Sequence, residues 1–432
     1  MSSGRIVLGW VPPAAVIAVA VAIGGGLDPW HRLVLTTLVL YVALKAIAIV
    51  TRRSSLVGTN AVGRTLFWTV WPGFDATRFV ERRQARTVDV HGPIAQGATL
   101  MFLGMSALGA LAVLEGSIGD TVLGWLGIGA LLLTVHFGYS DVLTGLMRRA
   151  GFPVRRLFDD PLKSRTLGEF WSRRWNVAFV EMDRALFLPL FRSWLGKRVA
   201  VFGVFALSGV LHELAISYPA GGGWGLPLVY FGIEGLLTVV ERPLHIRRWP
   251  HLAARAWTIV GVLAPLPLLF NTSFRTELVV PLIRNLGDIA PAPATAFDVL
   301  LWVAGAGNLL LLAVSYQVPR RLGWHEDLAS LSPFNSKLLW TFGGFIIFTY
   351  LSIGIMTLAL HDDLLAGERA AVAIALFGGL YWLSRLFTDL VVWRDEDWPP
   401  GELVFVGHVM LNGLFSMMTG IYLTFVAGQW LV

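Results

Sequence analysis

The most informative part of this chain is the stretch Leu207-Ser208-Gly209-Val210-Leu211-His212-Glu213-Leu214. It places an imidazole and a carboxylate inside an apolar run that is long enough to cross a bilayer. Ionisable side chains are expensive at bilayer depth, so they are rarely found there without a partner or a task. His212 is therefore a candidate functional residue from the outset.

The composition of the whole chain is that of a helical membrane protein. Of its 432 residues, 55% are hydrophobic and 14% are charged, and the mean hydropathy is +0.66. Soluble domains average about 25% charged residues, so this chain is strongly depleted. We predict an all-α polytopic membrane protein of about eleven transmembrane helices, with spans near 6–26, 33–50, 95–115, 119–137, 198–218, 224–241, 252–271, 297–317, 338–360, 368–391 and 404–430.

The positions of the cations predict the orientation. The net charge is +6, and arginines cluster at 52–53, 78–86, 148–156, 242–248 and 320–321, all on one side of an eleven-span arrangement. The turns at 115–120 and 217–225 carry no cation and fall on the other side. This is typical of the positive-inside bias and not of nucleic-acid binding. We predict an integral protein of a bacterial cytoplasmic membrane with a cytoplasmic amino terminus.

Two segments do not fit simple spans. Residues 66–73 contain two tryptophans and are too short to cross, which predicts an interfacial or re-entrant helical segment. Residues 166–190 are amphipathic and are expected on the cytoplasmic side. Prolines at 281, 291 and 293 mark a boundary. We therefore predict a core over 1–285 and a C-terminal four-helix membrane domain over 295–432, whose role the sequence does not indicate.

The segment Glu169-Phe170-Trp171-Ser172-Arg173-Arg174-Trp175-Asn176 has helical spacing. Glu169, Arg173 and Asn176 lie at i, i+4 and i+7, so we expect them on one helix face. Such a helix lies at the membrane interface, with its rings inward and its cations toward headgroups or an anionic ligand. The arginines are equally explained as interfacial anchors, and nothing in the spacing indicates that Asn176 meets His212.

Two of these motifs together resemble a known family. The segment Phe170–Asn176, followed after about one span by Leu211–Leu214, resembles the wax synthase branch of the membrane-bound O-acyltransferases. The segment Trp71–Asp75 is similar to bacterial members of that branch. The resemblance covers roughly residues 65–245, and residues 297–432 lie beyond it. It implies an acyltransferase core in which His212 is the catalytic histidine and Asn176 is the second polar active-site residue.

The resemblance also implies the substrates. The donor is a long-chain acyl-CoA, a co-substrate rather than a cofactor. The acceptor is a lipophilic alcohol, with fatty alcohol first and a glycerolipid, sterol-like or isoprenoid hydroxyl left open. Neutral imidazole, with an unperturbed pKa near ~6.5, suits a general base, and an amide such as that of Asn176 suits the thioester carbonyl. Substrate contacts are predicted for six residues: Trp171, Arg173, Arg174, Trp175, Glu213 and Ser208.

Several alternatives stay open on the residues alone. Ser208 is equally explained as a small packing residue, and Glu213 is expected to pair with an arginine or another polar group rather than to orient His212. Glu234, within a predicted span, is placed to line an acceptor tunnel. No clustered ligands indicate a metal site, and the chain has no cysteine. The rival functions are a transporter or flippase that uses His212 and Glu213 as a polar relay, and a non-catalytic scaffold; a homo-oligomer is also open.

Overall fold

The computed structural model describes residues 3–50, 56–80, 89–393 and 397–431, and within these ranges it contains helices and turns but no strand. The predicted all-α fold class is confirmed. Two shorter apolar helices, Ala14–Gly24 and Leu226–Val240, lie at the predicted first and sixth spans. In the described ranges, the helices that are long and apolar enough to cross a membrane are Pro29–Val50, His91–Ser117, Asp120–Arg149, Val199–Ala220, His251–Leu269, Pro293–Arg321, Pro333–Ala359, Arg369–Val391 and Glu402–Leu431.

Each predicted span therefore has a helical counterpart. The orientation argument depends in part on Arg52, Arg53, Arg82, Arg83 and Arg86, which lie outside the described residues. The orientation stays a prediction.

The chain divides into two compact units. The first comprises Met1–Ile94 and Ser140–Pro281, and the second comprises Ala95–Tyr139 and Leu282–Val432. Packing thus groups residues 95–139 with the C-terminal helices. The division into a functional core over 1–285 and a separate domain over 295–432 stays a prediction, since packing does not test it.

The first unit contains mostly short helices around a few long ones. The helix Leu188–His212 is interrupted at Gly196, whose φ of 75° only glycine adopts readily. The π-helical turns are Phe170–Arg174, Asp183–Phe187, Glu213–Ser217 and Arg275–Val279. The α-helices are Ser3–Gly24, Pro29–Val50, Ala61–Thr69, Thr77–Val80, Ser140–Arg149, Leu167–Glu169, Val177–Met182, Leu188–His212, Tyr218–Ala220, Leu226–Val240, His251–Leu263, Leu266–Leu269 and Thr272–Phe274.

The predicted interfacial or re-entrant segment begins as a nine-residue helix, Ala61–Thr69. At a rise of about 1.5 Å per residue, this helix is much too short to cross a bilayer. Lys45, fully buried in Pro29–Val50, donates to the carbonyl oxygens of Phe67 and Trp71. The last turn of the short helix and the backbone just after it therefore provide the polar partners that a buried ammonium group requires.

The predicted single helix face over Glu169, Arg173 and Asn176 is wrong. After the π turn Phe170–Arg174, Trp175 is extended (φ −102°, ψ 125°) and Asn176 is left-handed (φ 45°, ψ 64°). The helix therefore ends before Asn176, and a new helix, Val177–Met182, begins after it. Asparagine tolerates the left-handed region and caps helices well, and this local preference outweighs the helical spacing.

The second unit is built on long helices. Four of them correspond to the apolar runs beyond residue 297, and their shared core includes Leu301, Tyr350, Trp382, Tyr422 and Phe425. The α-helices of this unit and its borders are His91–Leu114, Asp120–Leu131, Val280–Ile289, Pro293–Arg321, Trp324–Ala329, Pro333–Ala359, His361–Leu365, Arg369–Val391 and Glu402–Leu431, with a π-helical segment at Leu132–Tyr139.

Candidate active site

His212 lies within the apolar helix Val199–Ala220, where regular α-helix gives way to the π turn Glu213–Ser217. Its Nδ1 is 2.7 Å from the carbonyl oxygen of Ser208, four residues earlier. A carbonyl oxygen only accepts hydrogen bonds, so Nδ1 carries the proton in the neutral ring. The lone pair is then on Nε2, which is the nitrogen suited to act as a base.

Aromatic side chains surround the imidazole of His212. Its ring centroid lies 4.4 Å from that of Phe231 and 6.4 Å from that of Phe179. The ring of Trp171 lies 5.8 Å from Phe231 and 6.1 Å from Phe205. The half-buried imidazole therefore has apolar aromatic neighbours.

Trp171 connects this aromatic group to a buried acid. Its Nε1 donates to Oε2 of Glu234 at 2.9 Å, and Glu234 is fully buried. The other oxygen, Oε1, is also buried and has no hydrogen-bond partner among the residues that the structure describes. Glu234 follows Phe231 by three residues on the helix Leu226–Val240, so the acid lies about one helical turn from the ring that contacts His212.

Asn176 is the N-cap of the helix Val177–Met182. Its Oδ1 accepts a hydrogen bond from the backbone amide of Phe179 at 3.2 Å. The cap uses the side-chain oxygen of Asn176 as an acceptor. The Nδ2 amide is therefore the part of this side chain that can donate to another group. Phe179 is also the residue whose ring lies beside His212, so one short helix connects the two predicted catalytic residues.

The two arginines of the motif have different environments. Arg173 is exposed, whereas Arg174 Nε is 2.7 Å from Glu169 Oε1 and its Nη1 donates to the carbonyl of Asp159 at 3.1 Å. Partial burial of Glu169 opposes its ionisation, but the Arg165 backbone amide and the Arg174 guanidinium outweigh it and lower the pKa of Glu169. Arg174 therefore stabilises the motif itself, and Arg173 remains accessible to a ligand.

Trp175 packs inside the motif. Its ring stacks on Phe170 with centroids 5.3 Å apart and planes 15° apart, and its amide donates to the Phe170 carbonyl at 2.9 Å. Trp171 meets Trp175 edge to face at 6.5 Å. The two tryptophans thus hold the non-helical turn before Asn176, and Trp171 is the one whose ring extends toward Phe231.

Glu213 does not orient the neighbouring histidine. Its Oε1 accepts from the backbone amides of Gly225 and Leu228, at 3.0 and 3.2 Å. These amides lie at the start of the helix Leu226–Val240 and lack an intrahelical acceptor. The partner of Glu213 is therefore a helix N-terminus rather than an arginine, and this contact fixes the helix that carries Phe231 and Glu234.

Two further carboxylates were missed by the sequence analysis. Glu181 Oε2 accepts from the amides of Phe74 and Asp75, at 2.9 and 3.1 Å, and so holds the Trp71–Asp75 segment. Burial raises the pKa of Glu181, although these amide bonds oppose the shift. Glu241 accepts from the amides of Leu167 and Gly168. In the sequence, each of these two acids directly follows a short apolar run, and this is the signal that could have identified it.

The sequence family whose profile matches this region is described as "Membrane bound O-acyl transferase family", and the match covers residues 154–232. That range contains the whole Phe170–Asn176 motif as well as His212 and Phe231. This part of the chain therefore resembles the membrane-bound O-acyltransferases. The match includes both motifs from which the resemblance was predicted, and it ends just before Glu234.

Relatives that are similar to this chain carry the names of different acceptors. It is 31% identical over 113 residues to "Probable long-chain-alcohol O-fatty-acyltransferase 7" of Arabidopsis thaliana, covering 23% of the chain and 33% of the relative. It is 29% identical over 153 residues to "Probable alginate O-acetylase AlgI" of Pseudomonas aeruginosa (34% and 27%). It is 31% identical over 157 residues to "Acyl-CoA--sterol O-acyltransferase 1" of Arabidopsis thaliana (33% and 44%). The matched part spans less than half the length of each of these relatives.

Proposed function

We propose that this chain is an integral-membrane O-acyltransferase that transfers a long-chain acyl group from acyl-CoA to a lipophilic alcohol. His212 acts as the general base and Asn176 assists. Acyl-CoA is a co-substrate, and the reaction requires no other cofactor and no metal. The observation that carries this proposal is the bond from His212 Nδ1 to the Ser208 carbonyl, which leaves the basic lone pair on Nε2.

The proposed reaction is direct transfer. His212 Nε2 accepts the proton of the alcohol hydroxyl while the alcohol oxygen bonds to the thioester carbonyl carbon. The Asn176 Nδ2 amide donates to the resulting oxyanion, as preorganised donors do in acyl transfer. The carbon–sulfur bond then breaks, and the CoA thiolate takes the proton from the imidazolium. Positioned general-base catalysis of this kind contributes about 10²–10⁴-fold to the rate.

The surroundings of His212 support a lipophilic acceptor. The rings of Phe231 and Phe179 lie beside its imidazole, and His212 itself lies in a helix that is apolar enough to cross a membrane. An aliphatic chain gains free energy by leaving water for such surroundings, at about 0.8 kcal/mol per buried methylene group. A polysaccharide does not gain in this way. Among the acceptors named for the relatives, long-chain alcohol and sterol are therefore favoured over alginate.

The exposed guanidinium of Arg173 supports a role in holding the CoA phosphates. Arg174 forms an ion pair with Glu169, so its contribution is to stabilise the conformation of the motif. In the same proposal, Trp171 and Trp175 line the site that binds the acyl chain. Ser208 fixes the tautomer of His212 through its backbone, and Glu213 holds the helix that carries Phe231. The proposal assigns the motif to the cytoplasmic side, as the positive-inside prediction does, because acyl-CoA is present there.

The test is ester formation in membranes that contain the full chain. Membranes are incubated with labelled palmitoyl-CoA and a panel of acceptors: a long-chain alcohol, a sterol, a diacylglycerol and an alginate oligosaccharide. We expect labelled ester with a lipophilic acceptor, and about a 10²–10⁴-fold loss for His212→Ala. The matched control is His31→Ala, because His31 is an exposed histidine of the first unit.

Each outcome bears on one function. Full activity of His212→Ala, with normal membrane insertion, would refute the assignment of the base. Absence of transfer with every acceptor would favour the scaffold or transporter. The contacts of Glu213 give no support to a relay between His212 and Glu213, because its bonded oxygen accepts from backbone amides.

A further inference from the structure

The second unit has a histidine–aspartate pair at one end of its long helices. His408 Nε2 lies 2.9 Å from Asp389 Oδ2, and the ring of Trp398 stacks on the imidazole with centroids 3.7 Å apart. Arg385 Nη1 lies 3.6 Å from Asp389 Oδ1. Asp389 is only 9% exposed. A charged cluster this deeply buried at the end of apolar helices is expensive unless it has a task.

A second histidine–aspartate pair lies at the opposite end of this unit. His361 Nε2 is 3.1 Å from the backbone carbonyl oxygen of Asp298 and 3.3 Å from its carboxylate Oδ1, and the His361 ring lies 4.8 Å from that of Trp302. His361 lies in the short helix His361–Leu365, just before the start of the helix Arg369–Val391. Asp389 lies near the end of that long helix. The two pairs are therefore separated by the length of a membrane-crossing helix.

A line of polar residues connects the two ends along one face of the helix Glu402–Leu431. They recur every three or four residues, which places them on the same side of the helix. Each four-residue step advances about 6 Å, close to the distance that one water spans with two hydrogen bonds. The members are His408, Asn412, Ser416, Thr419 and Tyr422, and all but His408 are buried.

The line continues beyond Tyr422 to the second pair. The Tyr422 hydroxyl accepts from Asn308 Nδ2 at 3.1 Å and lies 2.8 Å from the Thr357 hydroxyl. Thr357 precedes His361 by four residues, across the break between the helices Pro333–Ala359 and His361–Leu365. Polar groups thus extend from the His408 pair to the His361 pair, and we call this the polar path.

The middle of the polar path contains three polar atoms in succession that need further partners. Asn412 Oδ1, Ser416 Oγ and Thr419 Oγ1 are buried, and none has a hydrogen-bond partner in the described part of the chain. The Asn412 amide is held in place, since its Nδ2 donates to Asp389 at 2.6 Å and to Thr99 at 2.9 Å. Buried polar atoms in proteins are nearly always hydrogen-bonded, to water where the protein offers nothing.

We propose that the second unit binds a file of water molecules along the polar path and conducts protons between its two histidine–aspartate pairs. A proton enters on one imidazole and passes to the first water. Each water or hydroxyl then accepts one proton and releases another. The proton leaves from the other imidazole, so no group is oxidised or reduced. The driving force is the proton gradient across the membrane.

The experiment measures proton flux through the full-length protein in liposomes. The vesicles contain a pH-sensitive dye, and a potassium gradient with valinomycin supplies the membrane potential. We expect wild type to acidify the lumen faster than protein-free vesicles. We expect Ser416→Ala combined with Thr419→Val to reduce the flux to the protein-free rate, because it removes two successive steps of the path.

Two further variants keep the test decisive. Ser384→Ala with Thr341→Val makes the same changes at exposed hydroxyls that bond to their own helix backbone, and we expect wild-type flux. Ser416→Thr with Thr419→Ser keeps both hydroxyls and should retain flux. Wild-type flux at the protein-free rate, or equal loss in the buried and exposed double variants, would overturn the proposal. The outcome is independent of ester formation, because the path uses no residue of the acyltransferase site.

Discussion

The side chain of Asn176 has two tasks that can be separated. Its oxygen caps the helix Val177–Met182 in a left-handed conformation, and its amide is our proposed oxyanion donor. Asn176→Ala should lower the free energy of unfolding by about 2 kcal/mol, from the lost cap and the left-handed backbone. Asn176→Asp keeps the cap but has no amide donor. We expect near-wild-type thermal stability in detergent and a loss of ester formation of about 10²-fold.

The matched control is Asn60→Asp, since Asn60 caps Ala61–Thr69 in the same way with an ordinary backbone conformation. It should change neither stability nor transfer. An Asn176→Asp protein that is fully active would show that the amide donates nothing to the reaction. An unstable one would show that the cap depends on more than an oxygen acceptor.

Individual residues also show what a sequence can and cannot predict about the site. His212 was recognisable because an imidazole in an apolar run is rare. Phe231 and Phe179, which lie beside it, are two of 26 phenylalanines, most of them in apolar runs. Nothing local distinguishes them, because only packing selects the rings that meet the imidazole. The conformation of Asn176 was mispredicted because a side-chain cap competed with helical spacing.

At the scale of elements, Glu213 connects the end of one helix to the start of another. Its Oε1 accepts two backbone amides at the start of Leu226–Val240. Glu213→Leu leaves these amides without that acceptor, and we expect it to lower the free energy of unfolding by about 1–3 kcal/mol and to reduce ester formation. Glu213→Gln keeps an oxygen acceptor, so it should retain most of both stability and transfer.

Glu213→Gln also distinguishes the acyltransferase from a transporter that uses His212 and Glu213 as a polar relay. A polar relay needs a carboxylate that gains and loses a proton, whereas a helix cap needs only an acceptor. Complete loss of function in Glu213→Gln, with unchanged thermal stability, would contradict the cap and favour the relay. The matched control is Glu326→Gln, an exposed acid at the start of another helix.

The apolar elements were easier to predict than the interfacial ones. A span is specified by the length and hydropathy of its own residues, and every predicted span has a helical counterpart. The segment over 166–190 depends instead on bonds between distant residues, such as Glu241 with Leu167 and Gly168. Its short helices and π turns therefore have no clear pattern in the sequence.

At the scale of the molecule, the grouping of helices into units could not be predicted. Residues 95–139 pack within the second unit, where Leu114 shares a core with Phe297 and Phe425. These are ordinary apolar residues far apart in the chain. Hydropathy predicts that these residues are buried or face lipid, but it does not predict which residues they pack against.

The orientation of the whole chain can be tested by labelling single introduced cysteines. The sequence contains no cysteine, so no native thiol of the chain reacts with the label. The positive-inside prediction places residue 330 on the cytoplasmic side and residue 117 on the outer side, and both are exposed serines. We expect Ser117→Cys to react with a membrane-impermeant maleimide in intact cells. Ser330→Cys should react only after permeabilisation. The reverse pattern would place the Arg173 motif outside, away from cytoplasmic acyl-CoA, and would therefore also contradict the proposed donor.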